Sequence, residues 1–192
     1  GNTDGTWGSA PAGFPFTLNA DGSGIKLVPT SAGKIVVIYN TTSGSTRVRV
    51  RRYSGSWSAE LSSAYSPLSI AVIKQSADDN VEILYMQVTT RNVYHATYTD
   101  SSNTLSAEVL VDTLSNTSSL FVLCRDGSDI RMIFAYSGTS LNLYHRILTN
   151  GSWGSPILWL DTVDSLEPSA LSSIIDSGSG VTAVLYEHDF GQ

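Results

Sequence analysis

Side chains suited to binding sugars lie in the polar segments that follow the predicted strands. Aromatic faces stack on the C–H faces of sugar rings, and short polar side chains exchange hydrogen bonds with hydroxyl groups. Loops on a rigid scaffold are where binding residues usually lie. The alternative is that these are ordinary turn residues, since Asp, Asn and Ser populate turns for backbone reasons alone. The candidate ligand-binding residues are Tyr65, Arg91, Asn92, Asp161, Asp164, Glu167, Glu187 and His188.

Carboxylates are the second chemistry that these segments offer. Retaining glycosidases need two carboxylates at close separation, one as acid and one as nucleophile. Asp161, Asp164, Glu167 and Glu187 could supply such a pair, but the sequence does not show that any two of them converge. We therefore assign no catalytic residue.

Four arginines form the densest positive patch, in the segment "TRVRVRRY". Arg47, Arg49 and Arg51 share one face of the predicted strand, because side chains alternate along a strand. Together with Arg52 they could bind an anionic glycan. The alternative is a solvated outer strand whose charges protect an edge.

Histidine and cysteine give no indication of a metal site. His95 and His145 each follow a tyrosine at equivalent positions of a repeat, so we expect them far apart as packing residues rather than as ligands of one ion. Cys124 is the only cysteine, which excludes an intrachain disulfide, and it is expected to be buried. We predict no metal and no cofactor.

The composition excludes several classes of protein. The net charge is −6, with 11 basic against 17 acidic residues, which argues against nucleic acid and against anionic membrane surfaces as partners. No apolar run approaches the roughly 20 residues that span a bilayer, so no membrane insertion is predicted. The hydrophobic share of 41% and charged share of 15% are typical of a folded domain.

A turn recurs along the chain and indicates how the candidate residues are positioned. Gly-, Ser- or Asn-rich turns precede Trp7, Trp57, Leu105 and Trp153, at spacings of 50, 48 and 48 residues. Between these turns lie short apolar or alternating segments, and none shows a sustained helical period. Each unit is predicted to form four strands, so the chain reads as one all-β domain over 1–192. The repeats are approximately 7–56, 57–104, 105–152 and an incomplete 153–192.

The recurring turn resembles a degenerate Asp-box, the Ser-x-Asp-x-Gly-x-x-Trp turn of sialidase-type propeller repeats. "TDGTW", which ends at Trp7, comes closest, because it has both the aspartate and the glycine. "SGSW" and "NGSW" keep Gly and Trp but lack the aspartate, whereas "DSSNTL" has Asp100 but no Gly and ends at Leu105. The resemblance implies a β-propeller of about four four-stranded blades, either partial or completed by oligomerisation. It also implies that these turns are structural and lie at the end away from the ligand site.

The resemblance does not carry sialidase activity with it. A sialidase would need three converging arginines, a Tyr–Glu nucleophile pair and an acidic proton donor. The first predicted strand, "SGIKLVP", offers only Lys26 where an early arginine would be needed.

The function predicted from the sequence is a non-enzymatic recognition module that binds a glycan or a cell-surface or virion partner through loops. Its expected location is extracellular or on a virion surface. Its other expected partners are further blades of a parent chain or copies of itself. Two alternatives stay open: part of a sialidase-like glycoside hydrolase, and a structural or assembly domain of a phage tail fibre or surface protein.

Overall fold

The computed structural model describes residues 24–30, 33–40, 47–75, 78–114, 121–126, 128–136, 142–161, 168–176 and 181–188. For residues 126, 135, 136, 160, 161, 168–176 and 181–188 the backbone alone is described. The described residues form sixteen β-strands and no α-helix. The all-β class predicted from the sequence is therefore confirmed.

The strands form four antiparallel sheets in chain order, and the first two contain nine of them. The first sheet has the order β1 (Lys26–Pro29), β2 (Ile35–Asn40), β3 (Val48–Tyr53) and β4 (Leu61–Ser62). The second sheet contains β5 (Pro67–Lys74), β6 (Val81–Gln87), β7 (Asn92–Thr99) and two short strands that both pair with β7, β8 (Thr104–Leu105) and β9 (Val109–Thr113).

The third sheet repeats the arrangement of the second. It contains β10 (Phe121–Asp126), β11 (Asp129–Tyr136), β12 (Asn142–Thr149), β13 (Ser152–Trp153) and β14 (Ile157–Asp161). The fourth sheet pairs β15 (Pro168–Asp176) with β16 (Val181–His188). The sequence repeats are offset from the sheets by one strand, since each repeat begins at a Trp or Leu turn and thus with the last strands of a sheet.

Strand β6 illustrates why these segments form strands that must be covered on both sides. Its sequence, VEILYMQ, is buried along nearly its whole length. Because side chains alternate, Val81, Ile83 and Tyr85 lie on one face and Leu84 and Met86 on the other. The first face packs against apolar residues of the first sheet, and the second face packs against apolar residues of β10 and β11. The apolar side chains of the second sheet are therefore shielded from water because a neighbouring sheet covers each face.

The first strands of the four sheets follow one another in space. β1 contacts β5, β5 contacts β10, and β10 contacts β15. The order of the sheets in space thus follows their order in the chain. Closure of such a succession into a ring is a separate matter, and the propeller remains a prediction.

The turn before each repeated Trp or Leu needs a left-handed backbone conformation. Two residues before it, φ is 87° at Gly55, 51° at Asn103 and 77° at Gly151. Glycine adopts such angles without steric cost, and asparagine tolerates them better than most residues. These three turns therefore share a residue with positive φ at the same position, and Trp7 lies outside the described residues.

The repeated tryptophans pack in two different ways. Trp57 lies on its own sheet, with its ring centroid 5.3 Å from that of Tyr53 and with the Arg51 guanidinium 5.7 Å from its centre. Trp153 reaches back to the second sheet, where its ring meets that of His95 edge-on at 5.6 Å. A Trp turn therefore fixes its own sheet in one unit and joins two sheets in another.

Candidate functional site

The antiparallel pairing gives the sheets two distinct ends. The turns between first and second strands, and the Trp turns, lie at one end, which we call the turn end. The loops after the second strands and after the last strands lie at the other, which we call the loop end. Tyr65, in the loop between β4 and β5, and Asn92, at the start of β7, both lie at the loop end.

A pair of stacked tyrosines forms the centre of the candidate site. The rings of Tyr65 and Tyr94 are nearly parallel, at 19°, with their centroids 4.4 Å apart. Tyr65 belongs to the loop after the first sheet and Tyr94 to strand β7, so the stack crosses the junction between two sheets. Tyr65 is 37% exposed and thus offers aromatic surface to solvent. We call this pair the aromatic platform.

Tyr85 and Glu108, both from the part of the chain that forms the second sheet, hold the aromatic platform in position. The ring of Tyr85 is tilted against that of Tyr94, with centroids 5.8 Å apart. The Glu108 carboxylate accepts a hydrogen bond from the backbone N–H of Ala64 at 2.6 Å and one from the Tyr85 hydroxyl at 3.3 Å. Because Ala64 directly precedes Tyr65, this carboxylate ties the loop of the first sheet to the second sheet.

Asn92 supports the aromatic platform through a hydrogen bond to Tyr94. Its side-chain amide donates a hydrogen bond to the Tyr94 hydroxyl at 3.3 Å. Its carbonyl oxygen accepts one from the Thr113 hydroxyl at 2.8 Å. These bonds fix the orientation of an amide whose remaining donor capacity lies beside the platform.

The hydroxyl groups of Tyr85 and Tyr65 stay protonated at neutral pH. Burial, followed by the nearby Glu108 carboxylate, raises the pKa of Tyr85 well above its usual range. The neighbouring Tyr94 raises the pKa of Tyr65. Neutral phenols donate and accept hydrogen bonds but are weak nucleophiles, so the platform is suited to binding rather than to covalent chemistry.

A second Tyr–carboxylate pair lies in the first sheet. Tyr39 donates a hydrogen bond to Glu60, and burial followed by this carboxylate raises the pKa of the Tyr39 hydroxyl. Glu60 and Glu108 each follow the repeated Trp or Leu by three residues. The third unit has Phe134 and Pro156 at the corresponding positions, so the hydroxyl and the carboxylate are absent together. Sequence reasoning missed these glutamates, although their shared offset was visible.

The remaining predicted residues fall into three groups. Arg91 occupies the tight turn before Asn92 with φ of 60°, and its backbone carbonyl accepts a hydrogen bond from the N–H of Leu114 at 3.1 Å. Asp161 ends β14, and Glu187 and His188 end β16, all at the loop end and with the backbone alone described. Asp164 and Glu167 lie outside the described residues. The structure thus brings Tyr65 and Asn92 together through Tyr94, with Arg91 adjacent in the chain.

The four arginines in β3 and directly before it do not form an open cationic patch. β3 has a partner strand on each side, so the alternative interpretation as an outer edge strand is wrong as well. Each guanidinium has an intramolecular partner: Glu60 for Arg49, Asp100 for Arg52, the Ser58 carbonyl for Arg51 and the Ser63 carbonyl for Arg47.

The two repeated histidines have different partners. His95 is buried and lies 2.5 Å from the Glu82 carboxylate, whereas His145 lies 3.2 Å from the guanidinium of Arg131. Burial, followed by the charge of Arg131, lowers the pKa of His145. In the described part of the chain, no three His, Cys, Asp or Glu side chains are placed to hold a metal ion. Cys124 is buried, as predicted.

Glu82 is a buried carboxylate at the turn end of the second sheet. It is 2% exposed and accepts hydrogen bonds from the Thr97 hydroxyl at 2.8 Å and from the side-chain amide of Gln75. Burial alone would raise its pKa, but the hydrogen bonds from His95, Gln75 and Thr97 lower it below the ordinary value. Glu82 is therefore ionised at neutral pH despite its burial.

Among the described residues no helix is long and apolar enough to cross a membrane.

Comparison with known proteins adds information on the fold alone. No protein-family model matches the chain, and no curated protein matches it. One similar structure is a protein of unknown function from Dyadobacter fermentans DSM 18053, with 14% identity and a TM-score of 0.51, over 70% of this chain and 40% of that one. Another is the polysaccharide lyase Uly1, with 12% identity and a TM-score of 0.41, over 87% of this chain and 55% of that one. The chain thus spans less than two thirds of either protein's length.

Proposed function

We propose that the chain is a non-enzymatic recognition module that binds a glycan at the loop end of its sheets. The observation that carries this proposal is the aromatic platform, an exposed tyrosine ring supported by a second ring across a sheet junction. A sugar ring would lie with its C–H face on Tyr65. The amide of Asn92 and the neutral tyrosine hydroxyls would exchange hydrogen bonds with its hydroxyl groups. The site would act on an extracellular or virion surface, where glycans are displayed.

We also propose that the sheets are blades of a β-propeller. Two findings support this architecture: the first strands adjoin in chain order, and the second sheet is covered on both faces. In a propeller the first strands surround the axis and each blade buries its faces against the next. The ring would be completed by further blades of a longer chain or by copies of this one.

The glycan proposal is tested by a glycan array followed by titration of the hits. Tyr65→Ala should weaken binding roughly tenfold, the scale expected for one aromatic stacking contact of about 1.4 kcal/mol. Trp159→Ala is the matched control, since Trp159 is an exposed aromatic side chain on the last strand of the third sheet. An array without any hit up to millimolar protein, or equal losses in both variants, would remove the proposal.

The hydrolase alternative makes a different prediction. A fluorogenic glycoside would be turned over, and Asp161→Asn or Glu187→Gln would abolish the turnover. The raised pKa values of Tyr39 and Tyr85 do not favour this alternative, because a tyrosine nucleophile needs an accessible phenolate.

The assembly alternative has one observation in its favour. Equivalent residues of the outer strands β9 and β14 are apolar and exposed, with Val109 and Leu110 in the second sheet and Ile157 and Leu158 in the third. Edge strands normally avoid such surface. Sedimentation analysis of the isolated chain decides this point, because a stable monomer at high concentration contradicts self-assembly through these strands.

A further inference from the structure

A cleft opens between the second and third sheets at the turn end. Its volume is about 370 Å³, room enough for a six-carbon molecule. The buried side chains of Ile130 and Leu148 form an apolar wall, and the exposed residues Ser128 and Asn150 form the rim. The cleft lies at the opposite end of the sheets from the aromatic platform, so it is independent of the proposed glycan site.

Arg125 brings a positive charge into this cleft. It lies on β10 and lines the cleft in a half-buried position. Burial lowers its pKa, yet an arginine remains charged under all ordinary conditions. Among the side chains that the structure describes, no carboxylate is paired with this guanidinium, which has five N–H donors.

Comparison with the second sheet indicates that this situation is particular to the third sheet. Lys74 occupies the position equivalent to Arg125, because Lys74 pairs with Val81 and Arg125 with Ile130. The Lys74 ammonium group forms an ion pair with the Asp79 carboxylate at 3.3 Å and donates a hydrogen bond to a backbone carbonyl of the same turn at 2.7 Å. Arg125 instead lines the cleft.

Glu82 places a negative charge in the same cleft. Its Oε2 atom accepts from His95 and Thr97, while Oε1 accepts from Gln75 alone and keeps one acceptor site. The cleft therefore combines one guanidinium, one ionised carboxylate and an apolar wall. A ligand with one negative charge balances Arg125, whereas a second negative charge would be repelled by Glu82.

We propose that the cleft binds a small hydroxylated monocarboxylate. Its carboxylate would accept paired hydrogen bonds from Arg125, the geometry that a planar guanidinium favours. One hydroxyl would donate to Oε1 of Glu82, and others would bond to Asn150 at the rim. The carbon chain would lie against Ile130 and Leu148.

Three six-carbon probes that differ in the number of terminal carboxylates test this assignment. Sorbitol is neutral, gluconate has one carboxylate and glucarate has two. In ¹⁵N-resolved NMR titrations, gluconate should bind at least about tenfold more tightly than sorbitol, since its hydrogen bonds to arginine are charge-assisted. It should also bind more tightly than glucarate and shift the amide signals of Ser128 and Asn150. Equal affinities for gluconate and sorbitol, or shifts confined to the loop end, would overturn the proposal.

Matched variants identify the residue responsible. Arg125→Gln should remove the preference for gluconate over sorbitol, and Arg125→Lys should retain part of it, because lysine keeps the charge but not the paired donors. Lys74→Gln removes the same charge from the equivalent strand position and should leave the preference intact. The amide spectrum of each variant reports its fold. A folded Arg125→Gln variant that still prefers gluconate, or equal losses in the Arg125→Gln and Lys74→Gln variants, would refute the assignment.

Discussion

Replacing both Glu82 and His95 by valine is expected to harm the protein less than replacing either one alone. The corresponding positions in the first sheet hold Val36 and Val50, which are completely buried. The backbone therefore accommodates an apolar pair at this point of the repeat. Each single substitution, in contrast, leaves a buried polar group that has lost its partner.

The expected sizes follow from the contacts of each group. Glu82→Val removes the acceptor of Gln75, His95 and Thr97, and His95 is only 6% exposed. At about 1–3 kcal/mol for a buried polar group left unpaired, a loss of about 3 kcal/mol in unfolding free energy is expected. His95→Val leaves a buried carboxylate with two of its three donors and should cost about 2–3 kcal/mol, in the upper part of the range for a buried polar group that loses a partner.

The double variant should lose about 1 kcal/mol, chiefly from the ring contact between His95 and Trp153. Gln75 and Thr97 also lose their acceptor, but they are half-buried and line the cleft, so water can take its place. Urea unfolding of the four proteins at pH 7 then gives a coupling energy between the two sites of at least about 2 kcal/mol. A control cycle that combines Glu82→Val with Tyr65→Ala, at opposite ends of the sheets, should be additive to within about 0.5 kcal/mol. A Glu82–His95 coupling as small as that of the control would refute the reasoning.

Three further results are expected. The folded-state pKa of Glu82 lies below the ordinary value of 4.5, so the wild type should lose unfolding free energy as the pH falls below 4.5. An equally steep fall of the unfolding free energy with pH in the double valine variant would contradict this cause. Asp100→Asn should lower the free energy of unfolding in urea by about 2 kcal/mol. This is below the roughly 3–5 kcal/mol expected for breaking a fully buried ion pair, because the partners Lys34 and Arg52 are 30% and 22% exposed. An unchanged urea midpoint would contradict this prediction. Gly151→Ala should lower the free energy of unfolding by about 1–2 kcal/mol, since φ is 77° at this residue. Gly154→Ala is the control: its new Cβ would lie 3.6 Å from a carbonyl oxygen, an ordinary contact, so the free energy of unfolding should change by less than about 0.5 kcal/mol.

The strands were predictable from sequence because their burial pattern is local. Alternation, apolar runs and turn residues with positive φ are properties of a few neighbouring residues, and they located strands such as β6 and turns such as that at Gly151. Tyr65, which is one half of the aromatic platform, and the neighbouring Asn92 were predictable for a related reason, because both lie in or beside polar loops. Tyr94 was missed, because it lies within an alternating strand and stacks with Tyr65 only through the packing of one sheet on another.

The buried polar cluster could not have been predicted by the same route. In "VEILYMQ" the glutamate resembles an ordinary solvent-facing residue near the start of a strand, and nothing local shows that Gln75, His95 and Thr97 surround it. Its burial depends on the third sheet, which covers that face of the second. Side-chain chemistry that depends on contacts between sheets is the part that one sequence does not provide.

Differences between the repeats, rather than their similarities, separate architecture from function in this chain. A position buried between sheets must be filled and satisfied, and Val36 with Val50, or Glu82 with His95, meets that requirement equally well. Since the apolar pair is sufficient for the fold, stability alone does not require the polar pair. The second sheet departs from the first at the position of Glu82, and Arg125 of the third sheet departs from the ion-paired Lys74. Glu82 and Arg125 line the same cleft. Both departures lie in one cavity at the turn end, and a repeat with a purely structural role would have no need of charges of both signs in its lining.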